Sequence, residues 1–127
     1  MTKGTTLTER ELDIMSVLWQ HGSGTVAEVR KAMGAPVGYT GVLKMLQILE
    51  GKEIVRHERE GRAYRYFPLM HPADVGGRAL RKIVDKIFHG SAELALARLV
   101  SGRTLDADEV TRMKALIDAA AAAEDDK

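Results

Sequence analysis

The sequence predicts a mainly α fold of the α+β class, helical except for one short β-hairpin near the middle of the chain. Three observations carry this. A Thr or Asp followed three residues later by Glu opens three separate apolar stretches (Thr8–Glu11, Thr25–Glu28, Asp106–Glu109), the capping-box signature of a helix start. Residues 54–67 instead read as two short runs, Ile54–Arg59 and Ala63–Phe67, about a Glu60-Gly61-Arg62 turn, with charge alternating in sign from Arg56 and with Tyr64 and Tyr66 two apart, the pattern of a β-hairpin. Beyond Pro72, apolar residues recur at helical spacing almost to the C-terminus.

The first helix is expected from Thr8 to about Gln20, with Leu7 and Leu12 as a hydrophobic staple and Leu12, Met15, Leu18 and Trp19 as its buried stripe. His21-Gly-Ser-Gly24 ends it. Thr25 opens a short second helix with Val26, Val29 and Met33 inward, and Gly34-Ala-Pro-Val-Gly38 turns the chain into a third. In that third helix, Tyr39–Glu50, residues Val42, Met45, Leu46 and Leu49 share one side, while Thr40, Lys44 and Gln47 line the other. Ile54–Arg59, a Glu60-Gly61-Arg62 turn and Ala63–Phe67 form the hairpin, with Tyr64 and Tyr66 on one face as packing residues. A helix leading straight into a basic hairpin is the arrangement of a winged helix–turn–helix.

Pro68-Leu-Met-His-Pro72 marks a boundary, giving a winged-helix domain over residues 1–70 and a three-helix region over 71–127 with a flexible Ala-rich acidic tail. The first of those helices, Ala73–Phe88, carries Leu80, Ile83, Val84, Ile87 and Phe88 on a common face, and His89-Gly90-Ser91 closes it. Ala92–Val100 carries Leu96, Leu99 and Val100, and the last helix carries Val110, Met113, Leu116 and Ile117 before a run of five alanines. Three short helices do not bury such stripes alone. Pairing with the same segment of a second subunit is expected.

Over 127 residues, hydrophobic side chains make up 45% and charged ones 29%, a normal balance for a folded domain. The net charge is only +1, but residues 30–66 hold eight basic side chains against four acidic ones. A local basic centre fits phosphate contact better than a globally basic binder does. Without Cys there is no disulfide, thiolate metal site or Cys nucleophile, which agrees with a reducing cytoplasm. The first six residues lack the apolar core of a signal peptide, and no apolar run approaches the ~20 residues needed to span a bilayer. A cytoplasmic protein without membrane insertion is expected.

The third helix is the candidate reader of double-stranded DNA, because a helix with a hidden apolar side and a short Thr/Lys/Gln row suits the major groove. Lys44 and Gln47 are assigned to base edges. Tyr39, Thr40 and Gly41, at the helix start, lie where backbone N–H groups face a phosphate. Arg59 and Arg62 flank the hairpin tip and are assigned to backbone phosphates. Arg30 and Lys31 end the second helix and either reach a phosphate or complement that helix's dipole. His21, His57, His71 and His89 never fall three or four apart, and no carboxylates converge on them, so no metal, cofactor or acid–base role is assigned. Ser91 and Ser101 have no activating partner, and no enzyme is expected.

The strings Leu-Thr-Glu-Arg-Glu-Leu, Tyr-Thr-Gly-Val-Leu-Lys-Met-Leu-Gln-Ile-Leu and Glu-Gly-Arg-Ala-Tyr-Arg-Tyr, with the Phe88-His-Gly-Ser91 break, resemble the penicillinase-repressor (BlaI/MecI/CopY) family. The resemblance implies a dimeric repressor on a palindromic operator, in many relatives released through a membrane sensor and protease system. Three departures stand out. Gly41 replaces a usual Thr, Ile48 replaces a frequent Arg, and the Asn–Phe bond cut in β-lactam-responsive members has no counterpart, since the chain has no Asn and reads Leu96-Ala97-Arg98 there. Thiolate copper sensing is excluded. Two other readings are a winged-helix module that binds a protein, and a metal-responsive regulator using His and carboxylates.

Overall fold

The computed structural model describes residues 7–34 and 36–125. The six N-terminal residues, Ala35 of the turn after the second helix, and the last two residues of the acidic tail lie outside the described residues. The element order is α1 (Glu9–His21), β1 (Gly24–Thr25), α2 (Val26–Met33), α3 (Tyr39–Gly51), β2 (Val55–Glu60), β3 (Ala63–Pro68), α4 (Pro72–Ile87), α5 (Ala92–Val100) and α6 (Ala107–Asp125).

Both N-terminal capping boxes form. The Thr8 amide donates to Glu11 Oε1 at 2.8 Å, and the Glu11 amide donates to Thr8 Oγ1 at 3.1 Å. Thr25 and Glu28 repeat the exchange at 3.1 and 3.2 Å. Each box satisfies N–H groups that the helix cannot bond internally. The stripe of α1 is shifted from the expected one: Ile14, Met15 and Leu18 are fully buried, whereas Leu12 is 41% exposed. Ile14 and Leu18 are four apart and Met15 adjoins them, so the buried side turns away from Leu12. Trp19 is half-buried, and its indole Nε1 donates to the Met70 carbonyl at 2.8 Å, tying the end of the hairpin to α1.

From α3, Val42, Leu46 and Leu49 complete the core with Val26, Val29, Ile54, Val55 and Tyr66. The end of α3 aims the hairpin. The Ile54 amide donates back to Leu49 O at 3.0 Å and the Glu53 amide to Glu50 O at 2.9 Å, while Glu53 takes the left-handed φ of 64°. This is a Schellman cap with a non-glycine residue in the strained position. Strands β2 and β3 pair antiparallel from Val55↔Pro68 to Glu60↔Ala63, leaving a two-residue Gly61–Arg62 turn. Gly61 supplies the φ of +62° that such a tight turn requires at its first position. A third strand was not expected: β1 pairs with β3 through Gly24↔Tyr66 and Thr25↔Arg65, giving the order β1-β3-β2.

The chain divides into two compact units, residues 1–82 and 83–127, and the division falls inside α4. In the second unit, Ser91 caps α5 by accepting from the Leu94 amide at 3.1 Å, and Asp106 Oδ1 accepts from the Glu109 amide at 2.7 Å at the start of α6. His89 and Gly90 both have positive φ and close α4, the Gly90 amide donating to Val84 O at 2.9 Å. Helix α6 runs through the alanine run, the residue type with the highest helix propensity. None of the side chains described in the second unit is buried. Leu80, Ile83, Ile87, Leu99, Leu116 and Ile117 are exposed, Leu116 at 71%, and Val84, Phe88, Leu96, Val110 and Met113 are only partly covered. Leu94, on the other side of α5 from Leu96 and Leu99, is exposed too.

One buried carboxylate fixes the orientation of α1 against the end of α3. Glu11 is 4% exposed, and Lys52 Nζ bonds both of its oxygens at 3.1 Å. Burial alone would raise its pKa; the Thr8 amide, the Lys52 ammonium and the Thr8 hydroxyl together outweigh that and hold the carboxyl below its ordinary value. A group depressed in this way stabilises the fold above its unfolded pKa of about 4.3, and the contribution is lost as pH falls through the folded value. Lys52→Ala is therefore expected to cost about 1–3 kcal/mol in urea unfolding at pH 7, and progressively less as pH falls through the folded pKa of Glu11. Glu53→Gly is expected to raise stability by about 1 kcal/mol in the same assay, by relieving the left-handed backbone.

Candidate nucleic-acid interface

Helix α3 presents the expected outer row. Thr40, Lys44 and Gln47 are exposed, as are Tyr39 and Gly41 at its start. Unlike α1 and α2, this helix has no side-chain cap: Gly38 is its N-cap and contributes only backbone. The N–H groups of its first turn are left without a side-chain partner, beside the Thr40 hydroxyl.

The ion pairs sort the basic centre into two classes. Arg65 reaches three elements at once. It donates to Glu28 at 2.9 and 3.1 Å, to Glu60 at 2.8 and 2.9 Å, and to Ser23 Oγ at 3.2 Å. Hydrogen bonds from Arg65 depress both the Glu28 and Glu60 carboxyls, and the two carboxylates in turn raise the guanidinium pKa. Arg56 pairs with Glu58 and lies over the Phe67 ring at 4.3 Å. Lys52 is held by Glu11. These three cations stabilise the domain and are not poised for an outside anion.

The remaining five, Arg30, Lys31, Lys44, Arg59 and Arg62, are exposed and form no ion pair among the described residues. Two are steered by backbone oxygens. Arg30 Nε donates to Val37 O at 3.2 Å across the α2–α3 turn, and Arg59 Nε donates to Gly61 O at 3.2 Å at the hairpin tip. Each of those bonds uses one donor of a five-donor group and leaves the rest of the guanidinium outward. The structure thus separates, by partner, the cations assigned to DNA from those that hold the fold.

His57 joins helix to wing. Its Nδ1 lies 2.7 Å from both Glu50 oxygens, and its ring meets Tyr64 edge-on at 4.7 Å and Tyr66 at 5.6 Å. Tyr64 and Tyr66 share a hairpin face as expected, but only Tyr66 is buried; Tyr64 stays in solvent beside the imidazole. Ile48, noted in the sequence as standing in place of a frequent Arg but given no contact role there, is 43% exposed on the outer side of α3. Among the described residues no group of His, Asp and Glu converges as a metal site.

A family model described as penicillinase repressor matches residues 7–119. The chain is similar to the transcriptional regulator BlaI of Mycobacterium tuberculosis, 34% identical over 119 residues, covering 90% of this chain and 84% of that protein. It is also similar to the penicillinase repressor of Bacillus licheniformis, 22% identical over 120 residues, with 93% and 94% covered. The solution structure of the DNA-binding domain of the repressor BlaI superposes with a TM-score of 0.52 at 30% identity, over 58% of this chain and 93% of that one. The winged helix, the outward row of α3 and the match along nearly the whole sequence agree: the chain belongs to the penicillinase repressor family, DNA-binding winged-helix transcriptional regulators that are not enzymes.

Proposed function

We propose that two copies of this chain form a homodimeric repressor that occupies a pseudo-palindromic operator, each copy setting α3 in a major groove and its wing beside the flanking backbone. The observation that carries the proposal is the sorting of charges. Every exposed cation without an ion-pair partner between residues 30 and 66 lies on α3, at the end of α2, or at the wing tip. Lys44 and Gln47 read base edges. Tyr39, Thr40 and Gly41 bring the uncapped start of α3 to a phosphate, and Arg30, Lys31, Arg59 and Arg62 neutralise further phosphates.

Dimerisation is assigned to the stripes of α4, α5 and α6: Leu80, Ile83, Val84, Ile87, Phe88, Leu96, Leu99, Val110, Met113, Leu116 and Ile117. The support is that none of them is buried within its own chain, an expense of apolar surface that monomers avoid. On this reading residues 1–70 bind DNA and residues 71–127 pair. Two-fold pairing sets the half-sites about one helical turn apart or a small multiple of that, and the second half-site is bound at raised effective concentration. No described helix is long and apolar enough to cross a membrane, and a cytoplasmic repressor is the matching location. If a membrane sensor and protease system releases it, the bond cut is not Asn–Phe, because the chain has no Asn.

A winged helix that binds protein is separated from this reading by salt. Phosphate neutralisation makes log K fall linearly with log salt, and a protein interface responds weakly. Within the DNA reading, Gln47→Ala is expected to relax preference at one base position by about 1–3 kcal/mol, whereas Arg62→Ala weakens operator and random DNA alike and reduces the salt slope by about 1. Arg65→Ala is expected to behave differently again, lowering the melting temperature through loss of its Glu28 and Glu60 pairs while leaving the salt slope of the folded protein near its native value. Sedimentation at micromolar concentration is expected to give a dimer, and Leu116→Asp to shift it to monomer.

A further inference from the structure

The outer side of α3 is polar or side-chain-free at Thr40, Gly41, Lys44 and Gln47, but Ile48 breaks that pattern. It follows Gln47 directly and stands one turn beyond Lys44, so the three lie on the same outward side. It is 43% exposed, while the apolar partners Val42, Leu46 and Leu49 of the same helix are fully buried. Gly41, two turns earlier in the same row, leaves open space where a Cβ would stand. A single exposed aliphatic residue elsewhere on a surface asks for no explanation. Here it occupies the side that the proposed function sets against base pairs, and the major groove displays one apolar group, the C5 methyl of thymine.

Resting on that reading, we infer that Ile48 is a specificity-determining residue that packs against a thymine methyl in each half-site. Its branched Cβ restricts χ1, so little rotamer freedom is lost on contact. The partner of Ile48 is a methyl group rather than a phosphate or a guanine edge, which an Arg at this position would take. The operator is accordingly expected to hold a thymine near the base pair read by Gln47, a preference absent from a relative with Arg in that place.

The test uses the full chain and a pool of random duplexes, from which the protein selects its preferred site. The thymines of that site are then replaced one at a time by deoxyuridine, which removes the methyl and keeps the Watson–Crick edge. At one position per half-site the native chain is expected to bind about fourfold more weakly, the loss of roughly one buried methyl. Ile48→Ala is expected to bind thymine and deoxyuridine duplexes alike there, and Ile48→Arg to move the preference at that position toward guanine. Ile48 contributes nothing to the buried core, so both variants fold. Equal native affinity for every deoxyuridine duplex overturns the inference, as does a methyl preference that persists undiminished in Ile48→Ala. Failure to select any sequence from the pool overturns the DNA-binding reading itself, and so is distinguishable from failure of the assignment of Ile48.

Discussion

The guanidinium of Arg65 is the interaction on which the rest of this domain depends. It stands on β3, pairs with Glu60 at the end of β2, and bonds Glu28 at the start of α2 and Ser23 just before β1. Glu28 is also the capping-box residue of α2. One side chain therefore ties the wing, the short strand and the second helix into a single frame. Exposed ion pairs contribute little to stability one at a time. A guanidinium that bridges two carboxylates fixes geometry as much as energy, because its planar fork admits few arrangements.

The same pairing has an electrostatic result. A net charge of +1 gives no hint of affinity for a polyanion. Yet Glu28, Glu58 and Glu60 are each held by a cation inside the domain, as is buried Glu11. Neutralising the acids locally leaves Arg30, Lys31, Lys44, Arg59 and Arg62 with their fields uncancelled by near neighbours. The field near the elements assigned to DNA follows from which charges are paired, and the formal total hides it.

Much of this was legible in the sequence, for identifiable reasons. Capping boxes are local, four residues long and chemically explicit, so the starts of α1 and α2 were readable from Thr8 and Thr25. The outer row of α3 follows from helical periodicity alone. The pairs Lys52–Glu11 and Arg65–Glu28 join residues 41 and 37 apart, and no local pattern encodes such a partner. Hence Arg65 counted as one more basic residue of the wing until the fold gave it neighbours. Strand β1 is two residues long, too short to show any period. Leu12 was misplaced because the stripe on α1 was started one side too early; Ile14, not Leu12, faces the core. Tyr64 was expected to pack with Tyr66, but the face they share is covered only at the Tyr66 end, where Tyr66 joins the hydrophobic core.

The central claim is that one continuous surface, made of α3, the α2–α3 turn and the wing tip, meets duplex DNA. Titrating the isotope-labelled chain with its operator duplex and following backbone and arginine side-chain resonances by NMR tests it most directly. The account predicts that perturbations gather at residues 39–48, at Arg30 and Lys31, and at Arg59–Arg62, while the Arg65 side chain, locked to its two glutamates, stays unmoved. Perturbations confined to the α4–α6 stripes, or none at any duplex concentration, would contradict it.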